Sequence, residues 1–369
     1  MELIFKKHEL ANAIQILQGV SAGRTTLPIL GNVLIKAEDE RIEMTGTDLE
    51  VSIRMKVQGE IKESGSITIP AKKLSEIVRE LPDEDIKLTT TSNDQTKISC
   101  GEGEYKIIGL PSSEFPEVPS VLENYFTMEA DQLIKMIEKT EFSAATDESR
   151  YFLNGIFFRF SPQETRLVAT DSRRLAMVEG KVIESVSDEI GVIVPLKATS
   201  SVQKAFAEDE TVRIGLLDNQ IAFSTDNTML ISRLIEGDYP NYEEVIPKDN
   251  EIKIVLSAKK FVDVLQRVAL LSNPKTYSIK LDVKGNRITV SAKTPELGEA
   301  KEDAEIISGE GNISIAFDAR YIIDALKHID TEEVVLELKD SLAAAVIHSP
   351  SDTSDNLNYI YLIMPMRLD

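Results

Sequence analysis

Leu74, Ile77, Val78 and Leu81 fall at i, i+3, i+4 and i+7, the apolar stripe of one helix face. Similar stripes predict six short helices, over 6–18, 72–79, 131–139, 197–204, 259–267 and 319–327. Between them the period drops to two or to short apolar runs. Strands are predicted over 65–69, 86–90, 212–216, 220–224, 278–283, 287–291 and 334–338. Turn signals such as Asp83-Glu84-Asp85, Leu217-Asp218-Asn219 and Lys284-Gly285-Asn286 separate many of them; the last reads as a hairpin. Pro70 and Pro195 stand where two of the helices begin, as proline prefers. Helices followed by antiparallel meanders give an α+β class, not a doubly wound one.

The pattern repeats. Phe5-Lys6-Lys7-His8-Glu9-Leu10, Met128-Glu129-Ala130-Asp131-Gln132-Leu133 and Leu256-Ser257-Ala258-Lys259-Lys260-Phe261 each run a strand end into a helix. Leu10, Leu133 and Phe261 take equivalent places, 123 and 128 residues apart. A second helix signal follows about sixty residues after each, as at Ile69-Pro70-Ala71, Val194-Pro195-Leu196 and Phe317-Asp318-Ala319. A period this long matches a whole domain rather than a solenoid unit. The chain therefore reads as three tandem domains, 1–121, 122–250 and 251–369, each made of two α-β-β-β halves with helices on one face. Thr47-Asp48 and Thr170-Asp171 recur after matching apolar runs.

Charge changes this picture. The chain of 369 residues carries a formal net charge of −21, which argues against a simple basic nucleic-acid footprint. The six helix segments nevertheless sum to +8, leaving −29 for everything else. Such helices gathered on one surface would make a mildly positive face on an acidic body, attracting phosphates without reading bases. Short surface helices also collect lysines simply as solvated faces. One cysteine, Cys100, excludes a disulfide framework and a cysteine zinc site and suits a reducing cytosol. No basic-then-apolar leader and no apolar run long enough for a membrane span is evident.

Catalytic signatures are sparse. The chain has no Gly-rich loop ending in Lys-Ser or Lys-Thr, and Gly101-Glu102-Gly103 and Gly309-Glu310-Gly311 read as turns. His8, His328 and His348 show no metal spacing, and Glu208-Asp209-Glu210 reads as a solvated turn. Asp171 beside Ser172 lacks a base. No metal or cofactor is expected, and an enzyme is disfavoured.

Several ordered stretches resemble one family. They are Leu27-Pro28-Ile29-Leu30-Gly31-Asn32, Thr45-Gly46-Thr47-Asp48-Leu49-Glu50, Arg150-Tyr151-Phe152-Leu153-Asn154-Gly155, Ala169-Thr170-Asp171-Ser172-Arg173-Arg174-Leu175-Ala176 and Met364-Pro365-Met366-Arg367-Leu368. Together they are similar to the bacterial sliding clamps, the β subunits of the DNA polymerase III holoenzyme. The resemblance implies a head-to-tail homodimer closing a six-domain ring around duplex DNA, helices inward, without sequence specificity. Its implied partners are the polymerase α subunit, the clamp loader and repair proteins carrying a short motif of glutamine, leucines and an aromatic; its implied place is the cytoplasm, at the nucleoid during replication.

By the same resemblance, DNA contacts fall on Arg24, Lys72, Lys73, Ser149 and Lys197, although the loop at Asp147-Glu148-Ser149 is acidic here. The dimer contact falls on Tyr105 and Ile107 in one domain and on Leu270 and Leu271 in another. The peptide pocket falls on Arg150, Leu153, Thr170, Ser172, Arg173, Arg174, Leu175, Pro240, Val245, Asp318, Tyr321, Leu362, Met364, Pro365, Met366 and Arg367. Arg173 replaces a frequent histidine, Asp318 a frequent neutral amide, Asp369 extends the ending and 349–358 forms a longer polar loop. Two other readings stay open: a hydrolase with a cation-dependent acidic site, and a repeat protein that never encircles DNA.

Overall fold

The computed structural model describes residues 1–21, 27–91, 93–118, 125–181, 189–350 and 357–367. Six α-helices lie among them: α1 (Lys7–Val20), α2 (Ala71–Glu80), α3 (Ala130–Glu141), α4 (Leu196–Ala205), α5 (Ala258–Ala269) and α6 (Ala319–Lys327). All six coincide with the predicted segments to within two residues at each end. Each is preceded by a strand and followed by three, so the expected α-β-β-β half gains a leading strand and becomes β-α-β-β-β. The short strand Glu60–Glu63 stands outside this rule. Pro70 and Pro195 end their strands and cap α2 and α4, one residue before the helix proper. Gly285, at φ +59, closes the predicted hairpin by pairing Lys284 with Arg287; a side chain there would be strained.

Periodicity explains the packing. Phe261, Val264, Leu265 and Val268 form the buried stripe of α5, and Leu10, Ala13, Ile14 and Leu17 that of α1. Predicted Ile77 is only half-buried on α2, while Leu74, Val78 and Leu81 are covered. With the observed bounds the helices carry +5 rather than +8, because Lys6 falls outside and Glu80 and Glu141 join.

The chain divides into two compact units, residues 1–134 with 194–234, and 135–193 with 235–369. Each takes one half of the central repeat, because the sheets run on across repeat boundaries. In the first unit an eight-stranded sheet joins Thr228–Arg233 to Val51–Lys56 antiparallel. A five-stranded sheet ends on the edge strand Gly103–Ile108. Helix α1 packs on Arg41–Thr47 and against α2 and α4. Within the second unit a twelve-stranded sheet joins Arg174–Gly180 to the C-terminal strand Asn358–Ile363 in the same manner. There α5 packs against α6.

Candidate peptide cradle and helix faces

The Thr-Asp signature builds one turn twice. In the second unit the Thr170 hydroxyl donates to Arg174 O at 2.6 Å and accepts from Ser172 N at 3.1 Å. Asp171 Oδ1 accepts from Arg173 N at 2.9 Å and Arg174 N at 3.0 Å. These short polar side chains satisfy backbone groups that a bent chain leaves open. Ser172 takes φ +74. In the first unit Thr47, Asp48 and Leu49 (φ +77) repeat these bonds around Glu50 and Val51. The carboxylates then diverge: Asp48 also holds Lys197, whereas Asp171 holds the Arg174 guanidinium at 3.0 Å.

Arg174 ties this turn to two helices. It donates to Asp324 of α6 at 2.7 Å and to Phe142 O, just past α3, at 2.5 Å. It also lies 4.6 Å from the Tyr321 ring centroid. Burial opposes its charge, but the Tyr361 phenol and the two aspartates outweigh burial and hold its pKa above the usual guanidinium value. Phe142 stacks on His328 at 4.1 Å. Lys139, nearly buried, donates to His328 O at 2.8 Å and Asp330 at 2.6 Å, capping the end of α6. Phe142, Asp324 and His328 were missed in the sequence; only the i, i+3 spacing of Tyr321 and Asp324 signals a shared face.

The C-terminal segment runs between that turn and α6. Met364 N donates to Arg173 O at 2.9 Å and Met366 N to Ala316 O at 2.7 Å. Leu175 and Leu362 belong to a buried cluster with Val168, Met177, Tyr242 and Val346, packed by Tyr239 and Phe157. Leu153 is also buried. Leu175 and Leu362 lie in the floor, and all three are covered within the chain. Pro365, Met366, Thr170 and Tyr321 are half-buried; Met364, Val245, Pro240, Arg150, Ser172, Arg173 and Arg367 are exposed. Asp318 is buried, caps α6 through Arg320 N at 3.0 Å and pairs with the Arg320 guanidinium, which lies 4.0 Å from the Tyr277 centroid. Asp318 is therefore occupied within the chain rather than offered to a ligand. A cleft of about 570 Å³ opens beside Arg367, lined also by Thr276, Lys280, Lys293 and Lys301.

The other predicted residues divide unevenly. Lys72 is exposed and makes no hydrogen bond or ion pair among the described residues; Lys73 pairs with Glu76. Lys197 is held by Asp48 and donates to Val20 O at 3.4 Å, closing the end of α1. Arg24 lies outside the described residues, as does the side chain of Ser149. On the edge strand Tyr105 is 42% exposed, whereas Ile107, expected at a mating surface, is 7% exposed and already covered by its own unit. Ile108 points the other way, 73% exposed. Leu270 is 76% exposed and Leu271 half-buried at the end of α5.

Family profiles of the DNA polymerase III beta subunit match this chain throughout: N-terminal domain over 1–119, central domain over 127–241, C-terminal domain over 243–367. A beta sliding clamp of Pseudomonas aeruginosa is 33% identical over 373 residues, covering 100% of both chains. One from Chlamydia pneumoniae is 29% identical, covering 100% of this chain and 99% of its own. The crystal structure of a P. aeruginosa clamp bound to griselimycin has a TM-score of 0.94 at 32% identity, and a Bacillus subtilis clamp 0.93 at 28%, each covering both chains fully.

Six β-α-β-β-β units in tandem pairs, with a turn-and-tail cradle on the last sheet, define a DNA-clamp class of protein. The chain belongs to the DNA polymerase III β-subunit family, the bacterial sliding clamps. It is a non-catalytic processivity clamp for the replicative polymerase, and its cradle is consistent with the griselimycin-bound relatives. No helix among the described residues is long and apolar enough to cross a membrane.

Proposed function

We propose that this chain is half of a head-to-tail homodimeric ring of six clamp domains, at 1–121, 122–250 and 251–369 in each protomer. The ring encircles duplex DNA without reading its sequence, in the cytoplasm at the nucleoid. Topological enclosure makes tight ionic binding unnecessary, so helices of +5 on an acidic chain suffice. Lys72 is the DNA-facing candidate with no hydrogen bond or ion pair among the described residues; Arg24, Lys73, Ser149 and Lys197 complete the set. Tyr105 and the strand of Ile107 meet Leu270 and Leu271 of the second protomer.

The observation that carries the reading is the cradle. Two backbone bonds pin Met364 and Met366 beside a buried apolar floor, leaving a strip of adaptable methionine ringed by arginine. That suits short apolar motifs from the polymerase α subunit, the clamp loader and repair proteins, anchored as hot spots. Griselimycin, which similar clamps bind, is expected to compete there.

The test is retention. The clamp is loaded by its loader onto nicked circular DNA, which is then cut once. Retention on the circle and loss on cutting are expected. A clamp that stays on linear DNA would be held by direct contacts, and the ring reading would fall.

A further inference from the structure

We infer that the cradle selects peptides carrying a carboxylate at each end of their apolar core, with Arg150 and Arg173 receiving one acid and Arg367 the other. This rests on the peptide-cradle reading and adds the chemistry of the preferred ligand.

Five arginines border the cradle, and two are already used. Arg174 is saturated by Asp171, Asp324 and Phe142 O. Arg320 is closed by Asp318 and by the Tyr277 ring. The remaining three are exposed. Among the described residues Arg150 hydrogen-bonds only the Ser172 hydroxyl, next to Arg173. The side chains of Arg173 and Arg367 have no hydrogen bond or ion pair with any described residue. On a chain of net charge −21, three guanidinium groups with no ion pair among the described residues at one apolar site are out of balance. The described acids nearby are also paired: Asp171, Asp318 and Asp324 face inward arginines, and Asp282 and Glu299, which line the cleft beside Arg367, pair with Lys280 and Lys293.

Geometry sets the spacing. Arg173 is fixed to one end of the C-terminal strip by the Met364 N bond, and Arg367 follows Met366 at the other. Three extended residues span about 10 Å. An extended ligand laid along the strip therefore meets an arginine before and after its apolar core, and the planar fork of arginine matches a carboxylate in two bonds. A single-stranded nucleic acid fits less well, because a phosphate on every nucleotide needs a continuous basic track, and here Met364, Pro365 and Met366 interrupt it.

The experiment uses the full chain and labelled synthetic peptides read by fluorescence polarisation. One core, Leu-Leu-Phe, is flanked on both sides by serine, aspartate or lysine, which sets the flanking groups about 13 Å apart. The aspartate-flanked peptide is expected to bind roughly tenfold tighter than the serine one at low salt, as two engaged exposed pairs allow. The advantage should collapse near 0.5 M NaCl, where screening is about 4 Å or less. Arg173→His should remove about threefold, and Arg173→Glu should favour the lysine-flanked peptide. Equal binding of serine and aspartate peptides overturns the acid selection while leaving the cradle intact. No binding by any peptide overturns the cradle itself. A short oligothymidylate that outcompetes the aspartate peptide, and loses affinity in Arg173→Glu, overturns the selection in favour of nucleic acid.

Discussion

Replacing Arg174 by alanine tests whether the cradle and the helix ends are one mechanical element. Arg174 is 13% exposed and donates to Asp171 at 3.0 Å, Asp324 at 2.7 Å and Phe142 O at 2.5 Å. Breaking a fully buried pair costs about 3–5 kcal/mol, because the partner is stranded. Here Asp324 is 38% exposed and water can reach it, so its share is small. Asp171 keeps two backbone N–H bonds and is only partly stranded. The lost bond to Phe142 O and the ring contact with Tyr321 add about 1 kcal/mol each. The expected destabilisation is about 2–4 kcal/mol. It should appear in the second unit, as faster amide exchange at Arg173, Arg174 and Met364 and a lower urea midpoint. Arg174→Lys should recover under half, since one ammonium cannot serve three acceptors spread across a turn and two helices. A double-mutant cycle with Asp324→Asn should show coupling near 1 kcal/mol. A loss below about 0.5 kcal/mol together with weakened peptide binding would mean that Arg174 merely touches ligand, and the shared-element argument would be wrong.

Charging both Leu270 and Leu271 to aspartate should yield folded monomers by native mass measurement; a persisting dimer counts against the proposed mating surface. Ser172 sits at φ +74, so Ser172→Val should cost about 1–2 kcal/mol through backbone strain, while Ser172→Gly should hold stability and lose the Arg150 contact; equal urea midpoints for both variants would refute the strain. Glu189 and Glu302 are held below the usual carboxylate range by hydrogen bonds from Arg159 and Arg267. Folded values below unfolded ones mean their stabilisation is full above about pH 5 and lost as pH falls through the folded values. The urea midpoint should therefore drop between pH 6 and pH 3.5, and less so in Arg267→Gln; a flat profile would contradict it.

Much of the fold was legible because it is local. Helix stripes need only neighbours three and four apart, so α5 and its buried Phe261, Val264, Leu265 and Val268 could be read directly. The Thr-Asp turn is equally local: Thr170 and Asp171 bond to groups within four residues of themselves. The residues that met the reading least well were those whose exposure only the folded chain decides. Asp318 looked like a ligand-facing departure and proved to be a buried cap held by Arg320. Ile107 looked like a mating residue and is covered by its own sheet's packing.

What the sequence alone determined was the repeat, the helix positions, the turn chemistry and the family likeness, all properties of short windows or of their order. Tertiary structure decided which strands pair and which charges are spent. Nothing in Arg174–Gly180 names Asn358–Ile363 as its neighbour, because backbone hydrogen bonds between strands carry no side-chain code. Likewise Asp48 and Lys197 stand 149 residues apart in the chain, and only their meeting leaves a lysine expected to face DNA already half engaged. Lys72 and Arg173, which meet no such partner among the described residues, are where the folded chain leaves positive charge to give away.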